Sequence, residues 1–87
     1  MEYRTEVDGL GEKQVPAGKY WGIHTQRAIE NFSLSGLRVS SGLIRGLAFV
    51  KKAACLANRE LGSLAEAKAQ AIASACDEVL AGKLADQ

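Results

Sequence analysis

SGLIRGLAFVKKAACLANRELG, residues 41–62, is the stretch on which the fold turns. Leu43, Leu47, Val50, Ala54, Ala57 and Leu61 recur in it at intervals of four and three, the spacing of an apolar stripe along one side of an α-helix. Lys51, Lys52, Asn58, Arg59 and Glu60 fall mostly off that stripe. Ser40 or Ser41 can cap its first turn, and Gly62 is placed to end it in a left-handed conformation. The spacing predicts a helix over 41–61. Behind Gly62, Ser63 followed by Glu66 reads as a capping box. Ala65, Ala69, Ile72, Cys76 and Val79 form a matching stripe, and Gly82 with Lys83 suits the end of a second helix over 63–81. One glycine between two amphipathic helices predicts a tight antiparallel hairpin. Its apolar faces need a further layer, from elsewhere in the chain or from sequence beyond it.

Upstream the pattern weakens. Gly9, Gly11, Pro16 and Gly18 punctuate residues 1–19, an irregular arm with short extended pieces around Tyr3–Val7 and Lys13–Val15 that can pair as a small hairpin. Residues 23–32 read as a short helix. Ile23, Arg27 and Glu30 lie on one side of it, and Ala28, Ile29 and Phe32 make an apolar stripe. Residues 33–40 read as a loop around Gly36. The expected class is therefore mainly α: an irregular or extended arm, one short helix and a two-helix antiparallel hairpin.

The two cysteines test that hairpin. Cys55 lies seven residues before Gly62 and Cys76 fourteen after it. The offset of seven residues, at 1.5 Å each, separates them by about 10 Å along the axis. A disulfide needs Cα atoms within roughly 7 Å, so two buried, reduced thiols are expected.

Composition narrows the function classes. Eleven basic residues stand against ten acidic ones, with no long run of either sign. This argues against an electrostatic grip on nucleic acid or on an anionic membrane surface. No stretch approaches the ~20 apolar residues that span a bilayer. The first residues lack the basic-then-apolar order of a signal peptide, so a cytoplasmic location is the expectation. Apolar residues make up 47% of the chain, and much of that is alanine. Alanine favours helix and close helix approach over a thick private core.

Little in the chain carries chemistry by itself. No second His, Asp or Cys stands at metal-ligand spacing from His24, and there is no phosphate-binding glycine loop or nucleophile elbow. Asp77 and Glu78 are adjacent on a helix and point apart, the wrong arrangement for paired acid–base carboxylates. The exception is Tyr20-Trp21-Gly22-Ile23-His24-Thr25-Gln26-Arg27-Ala28, which gathers the only Trp and the only His with a Thr and an Arg. On a helix His24 and Arg27 share a face and could address one anion. They could equally make ordinary surface or inter-segment hydrogen bonds, with Tyr20 and Trp21 anchoring the helix start.

The order Asp8-Gly9-Leu10-Gly11-Glu12, Val15-Pro16-Ala17, Tyr20 through Ala28 and Asn31-Phe32 closely resembles the N-terminus of the aspartase/class II fumarase superfamily. The resemblance continues through Val50-Lys51-Lys52-Ala53-Ala54, Ala57-Asn58-Arg59-Glu60-Leu61 and Ala75-Cys76-Asp77-Glu78-Val79-Leu80 to Asp86-Gln87, nearly the whole chain. Trp21 and Gln26 are fumarase-like and His24 is aspartase-like. The helical motifs tilt the resemblance toward the aspartases, the aspartate ammonia-lyases, with class II fumarase as the alternative.

What the resemblance implies is a fumarate-lyase N-terminal domain, part of a homotetramer built round a long helical bundle. The partners would be the remaining lyase sequence and further copies of the chain. The implied reaction is reversible loss of ammonia from L-aspartate to give fumarate, with no organic cofactor and no metal site in this stretch; divalent-metal activation of a full enzyme stays open. A serine on a mobile loop, in a Gly-Ser-Ser-x-Met signature, serves as base in that family, and a Gly-x-Gly-Thr-Ser segment grips the substrate. Neither occurs in this sequence, so the chain is expected to be an inactive N-terminal portion with no catalytic residue of its own. Carry-over is limited to His24, Thr25 and Arg27, which match the motif and are expected near a substrate or activator site. A rival from another class is a standalone helical interaction module that uses its apolar stripes to bind a partner helix.

Overall fold

The computed structural model describes residues 1–87 as two units, 1–37 with Gln87 and 38–86. In the first, β1 (Tyr3–Asp8) and β2 (Gly11–Pro16) pair antiparallel from Tyr3↔Pro16 to Asp8↔Gly11, and α1 (Ile23–Asn31) packs on one face of the pair. The two extended pieces of the arm thus pair as a hairpin, as their spacing allowed. They are longer than the sequence suggested, because the Gly9-Leu10 connection lets the ladder run to Gly11. The Asp8 carboxylate accepts the Leu10 N–H at 2.9 Å and closes that turn locally.

Strand alternation in this hairpin is inverted from the usual pattern. Arg4, Glu6 and Asp8 turn toward α1 and are half-buried, while Tyr3 and Val7 face solvent. Only Val15 and Ile23 are buried apolar side chains here. A two-stranded ribbon with so little apolar contact is marginal, and the charged face must be satisfied by specific partners. The apolar stripe expected on the first helix is also turned outward: Ile29 and Phe32 are exposed, and the side carrying Ile23 and Arg27 meets the hairpin. Polar pairing, not apolar periodicity, decides which face of this nine-residue helix is covered.

The second unit is the helical hairpin of α2 (Ser41–Glu60) and α3 (Glu66–Leu80). Ser40 caps α2 as expected, its hydroxyl accepting the Leu43 N–H at 3.2 Å. Gly62 sits at φ +78°. The Gly62 N–H donates to the Arg59 carbonyl and the Ser63 N–H to the Asn58 carbonyl, the paired bonds of a Schellman stop. Gly82 and Lys83 repeat that stop after α3 with Val79 and Glu78.

Two expectations fail here. Ser63 does not cap α3: its N–H and that of Leu64 both return to the Asn58 carbonyl, so residues 63–64 still belong to the closure of α2. Helix α3 begins at Glu66 behind Ala65, which offers no side-chain cap. The acidic Glu66 instead favours the positive helix end directly. The second failure concerns the seam. Leu43, Leu47, Val50 and Leu61 are all at least half exposed, and the residues closed between the helices are Ala48, Cys55, Ala69 and Cys76.

Those four explain the register. Cys55 and Ala69 are each seven residues from Gly62, and Ala48 and Cys76 each fourteen. The antiparallel hairpin therefore sets a sulfur opposite a methyl at each level, so two small side chains share each layer and the helices approach closely. The Cys55 thiol donates to the Ala69 carbonyl at 3.2 Å. Both cysteines are free, as their offset predicts. Outside the seam, Lys52 pairs with Asp77 at 2.6 Å and the Arg45 guanidinium donates to the Leu80 carbonyl at 2.6 Å. These exposed contacts add little stability each. No helix is long and apolar enough to cross a membrane.

Candidate functional site

The sequence directs attention to the start of α1, and the structure shows how that start is held. Gly22 precedes the first helical residue and provides no capping side chain. The missing acceptor comes from the neighbouring strand: Glu6 Oε1 takes the Ile23 N–H at 3.0 Å. A carboxylate at a helix N-terminus both satisfies an orphan donor and meets the positive end of the helix. A Cβ on residue 22 would stand 3.2 Å from that same oxygen, so glycine leaves room for the carboxylate.

Arg4 fixes Glu6 in turn. Its Nε donates to Glu6 Oε2 at 2.6 Å, and the rest of the guanidinium donates to the carbonyls of Pro16 at 2.9 Å, Lys19 at 2.8 Å and Trp21 at 2.5 Å. One planar fork thus gathers the whole segment that leads from β2 into α1. Arg4, with the Ile23 N–H behind it, holds the Glu6 carboxyl below its ordinary value.

Arg27 makes the second clamp. Its Nε and Nη2 donate to the two carboxylate oxygens of Asp8, both at 2.9 Å, and Nη2 also reaches the Gly11 carbonyl at 3.2 Å. The pair is only 22% and 14% exposed at its side chains, and the planar, bidentate geometry is the favourable one for guanidinium and carboxylate. Arg27 lowers the Asp8 pKa, with the Leu10 N–H and a smaller pull from His24 adding to it, and Asp8 raises that of Arg27. A third link runs from Trp21 Nε1 to Gln26 Oε1 at 2.9 Å, then to Glu30, whose other oxygen meets Lys13 Nζ at 2.5 Å. Lys13 and then Gln26 depress the Glu30 carboxyl.

The three residues singled out from sequence therefore separate. Arg27 is committed to Asp8 within its own chain. His24 and Thr25 stand exposed on the first turn of α1. Sequence reading overlooked Arg4 and Glu6. The signal for them is the alternation Arg4, Glu6, Asp8, three charges that a strand must present on one face.

In the second unit, a shallow apolar groove of about 370 Å³ opens beside the seam, lined chiefly by Ile44, Leu47, Ile72, Cys76 and Val79 with Lys51 at its edge. It contains no acid–base pair. No three His, Cys, Asp or Glu side chains anywhere in the chain are grouped to hold a metal ion.

The sequence profile described as lyase matches residues 11–87. The chain is 56% identical over 86 residues to the class II fumarate hydratase of Halobacterium salinarum, covering 99% of this chain and 18% of that protein. It is 52% identical over 86 residues to the aspartate ammonia-lyase of Bacillus subtilis, again 99% of this chain and 18% of the relative. Among solved structures it is similar to the cobalt-bound fumarate lyase:delta crystallin of Brucella melitensis, with a TM-score of 0.78 and 48% identity over 99% of this chain and 19% of that one. The chain thus spans about a fifth of the length of the relatives it matches.

Proposed function

The chain belongs to the lyase family, in the fumarase/aspartase superfamily, and on that premise we propose that it is the N-terminal scaffold of an enzyme adding a small nucleophile across the double bond of fumarate. The observation that carries this reading is the family match over residues 11–87, which takes in β2, all of α1 with Arg27, and both long helices. Hydration of fumarate is the favoured reaction, supported by the higher identity to a fumarate hydratase and by the fumarase-like Trp21 and Gln26. Addition of ammonia, the reaction the helical motifs first suggested, is the second reading. It is supported by the aspartase-like His24 and by the 52% identity to an ammonia-lyase.

In either direction the difficult step is a proton on the carbon beside a carboxylate, whose removal builds up negative charge that preorganised donors must stabilise. His24 and Thr25, exposed on the first turn of α1, are the groups of this chain placed at the edge of such a site. Arg27 acts indirectly, by fixing α1 to Asp8. The base and the main substrate grip are supplied by other segments of the enzyme, which assembles as an oligomer.

The test splices this chain in place of the matched residues of the Halobacterium hydratase and, separately, of the Bacillus ammonia-lyase. The 87-residue chain alone should leave fumarate unchanged, with or without ammonia. The hydratase chimera should interconvert fumarate and malate. Activity confined to the ammonia-lyase chimera would move the assignment to the second reading. Turnover by the unspliced chain would defeat the scaffold reading.

A further inference from the structure

We infer that Glu6 is a positioning residue: from β1 it caps the first turn of α1 and so sets the direction in which His24 and Thr25 leave the helix. This rests on the reading that the His24–Thr25 turn borders the lyase site.

Three observations converge on Glu6. The helix it serves has no cap of its own, because Gly22 carries no side chain and the Ile23 N–H goes to Glu6 Oε1. The opposite carboxylate oxygen is held by Arg4 Nε at 2.6 Å, so the carboxylate cannot rotate without losing one bond or the other. The same Arg4 holds the carbonyls of Pro16, Lys19 and Trp21, fixing the entry segment against the strand that carries Glu6. Strand, entry segment and helix start therefore share one hub.

The other charged groups around it are already matched. Lys13 lies opposite Glu6 in the strand register but pairs with Glu30, and Arg27 of α1 pairs with Asp8. None is a substitute anion for the Ile23 N–H. An aspartate at position 6 would be one methylene short of bridging Arg4 and that donor, whereas glutamine keeps the length and one oxygen acceptor.

The experiment has two arms. In the 87-residue chain, amide exchange at Ile23 should quicken about tenfold in Glu6→Ala, the worth of one charge-assisted hydrogen bond, and by less in Glu6→Gln. Unchanged exchange in Glu6→Ala overturns the capping geometry. In the hydratase chimera, Glu6→Ala should raise KM about tenfold with kcat within about twofold, and Glu6→Gln should recover most of it. A fall in kcat at unchanged KM would mean only fewer folded molecules and overturns the positioning role. His24→Ala and Thr25→Ala in the same chimera separate the two claims. If they raise KM and Glu6→Ala does not, the inference alone fails; if neither changes the kinetics, the placement of α1 at the site fails with it.

Discussion

The two hairpins of this chain solve the same problem with opposite materials. The β-hairpin holds α1 through long charged side chains that reach across and bind in fixed directions: Arg4 to Glu6 and four carbonyls, Arg27 to Asp8, Lys13 to Glu30. The helical hairpin closes on four of the smallest side chains that can fill a seam, Ala48, Cys55, Ala69 and Cys76. A nine-residue helix on a two-stranded ribbon has too little apolar area to fix its own angle, so direction comes from hydrogen bonds. Two long antiparallel helices have area to spare and need only a register, which the small pairs about Gly62 supply. The polar clamp is consequently specific but sensitive to protons. The small-residue seam ignores protons and is sensitive to volume.

Acid should break the comparison open most widely. Glu6, Asp8 and Glu30 all bind protons less readily in the folded chain than free, because of Arg4, Arg27 and Lys13 respectively. Their contribution is therefore complete above the ordinary carboxyl values of 4.5 and 3.8, and it is lost as pH falls through the lower folded values. The seam of α2 and α3 contains no carboxylate. Trp21, the only tryptophan, reports the first unit by fluorescence, and ellipticity at 222 nm is dominated by the long helices. The fluorescence transition should come at higher pH than the ellipticity transition. Coincident midpoints would mean that the two units do not differ in the way their contacts suggest.

A volume change should do the reverse. Ala69 is fully buried, and the Cys55 thiol reaches its carbonyl. Ala69→Leu adds three carbons where the helices approach, at a cost of about 1–3 kcal/mol. The thermal midpoint followed at 222 nm should fall, while the acid transition of Trp21 keeps its position. An unchanged melting curve would show that the seam has slack the packing does not reveal.

How far these differences could be read beforehand depends on what kind of force made them. The long helices and their glycine stops were legible, since periodicity and the left-handed preference of Gly62 and Gly82 are local properties. So was the separation of the cysteines, which follows from rise per residue alone. The capping box at Ser63 was not, because its N–H is claimed by Asn58 across the turn, a competition that the local pattern does not show. At the candidate site the motif around His24 and Arg27 was visible but its wiring was not. The partners, Glu6 and Asp8, lie 17 and 19 residues away, and nothing local marks a strand carboxylate as the cap of a distant helix. Hydrophobic patterning misjudged the faces of α1 and α2, because in each case a different contact decided what was covered, while on α3 its stripe included Ala69 and Cys76, which are buried.

The smallest effect is also the sharpest probe of that last point. Val50 belongs to the apolar stripe that periodicity places against α3, yet it is 65% exposed. Were it a seam residue, Val50→Ala would open a cavity and cost more than about 1 kcal/mol. On an exposed helix position the dominant change is instead the backbone preference, since alanine escapes the restriction that a β-branched side chain suffers against the preceding turn. The substitution should then be neutral or stabilising, by up to about 0.5 kcal/mol. Denaturant unfolding at 222 nm resolves a change of sign more surely than a small magnitude. In the hydratase chimera the balance should reverse, because the stripe that the isolated chain leaves open is the face available to the rest of the lyase. Destabilisation there, beside neutrality here, would show that periodicity had located a real packing face and mistaken only its partner.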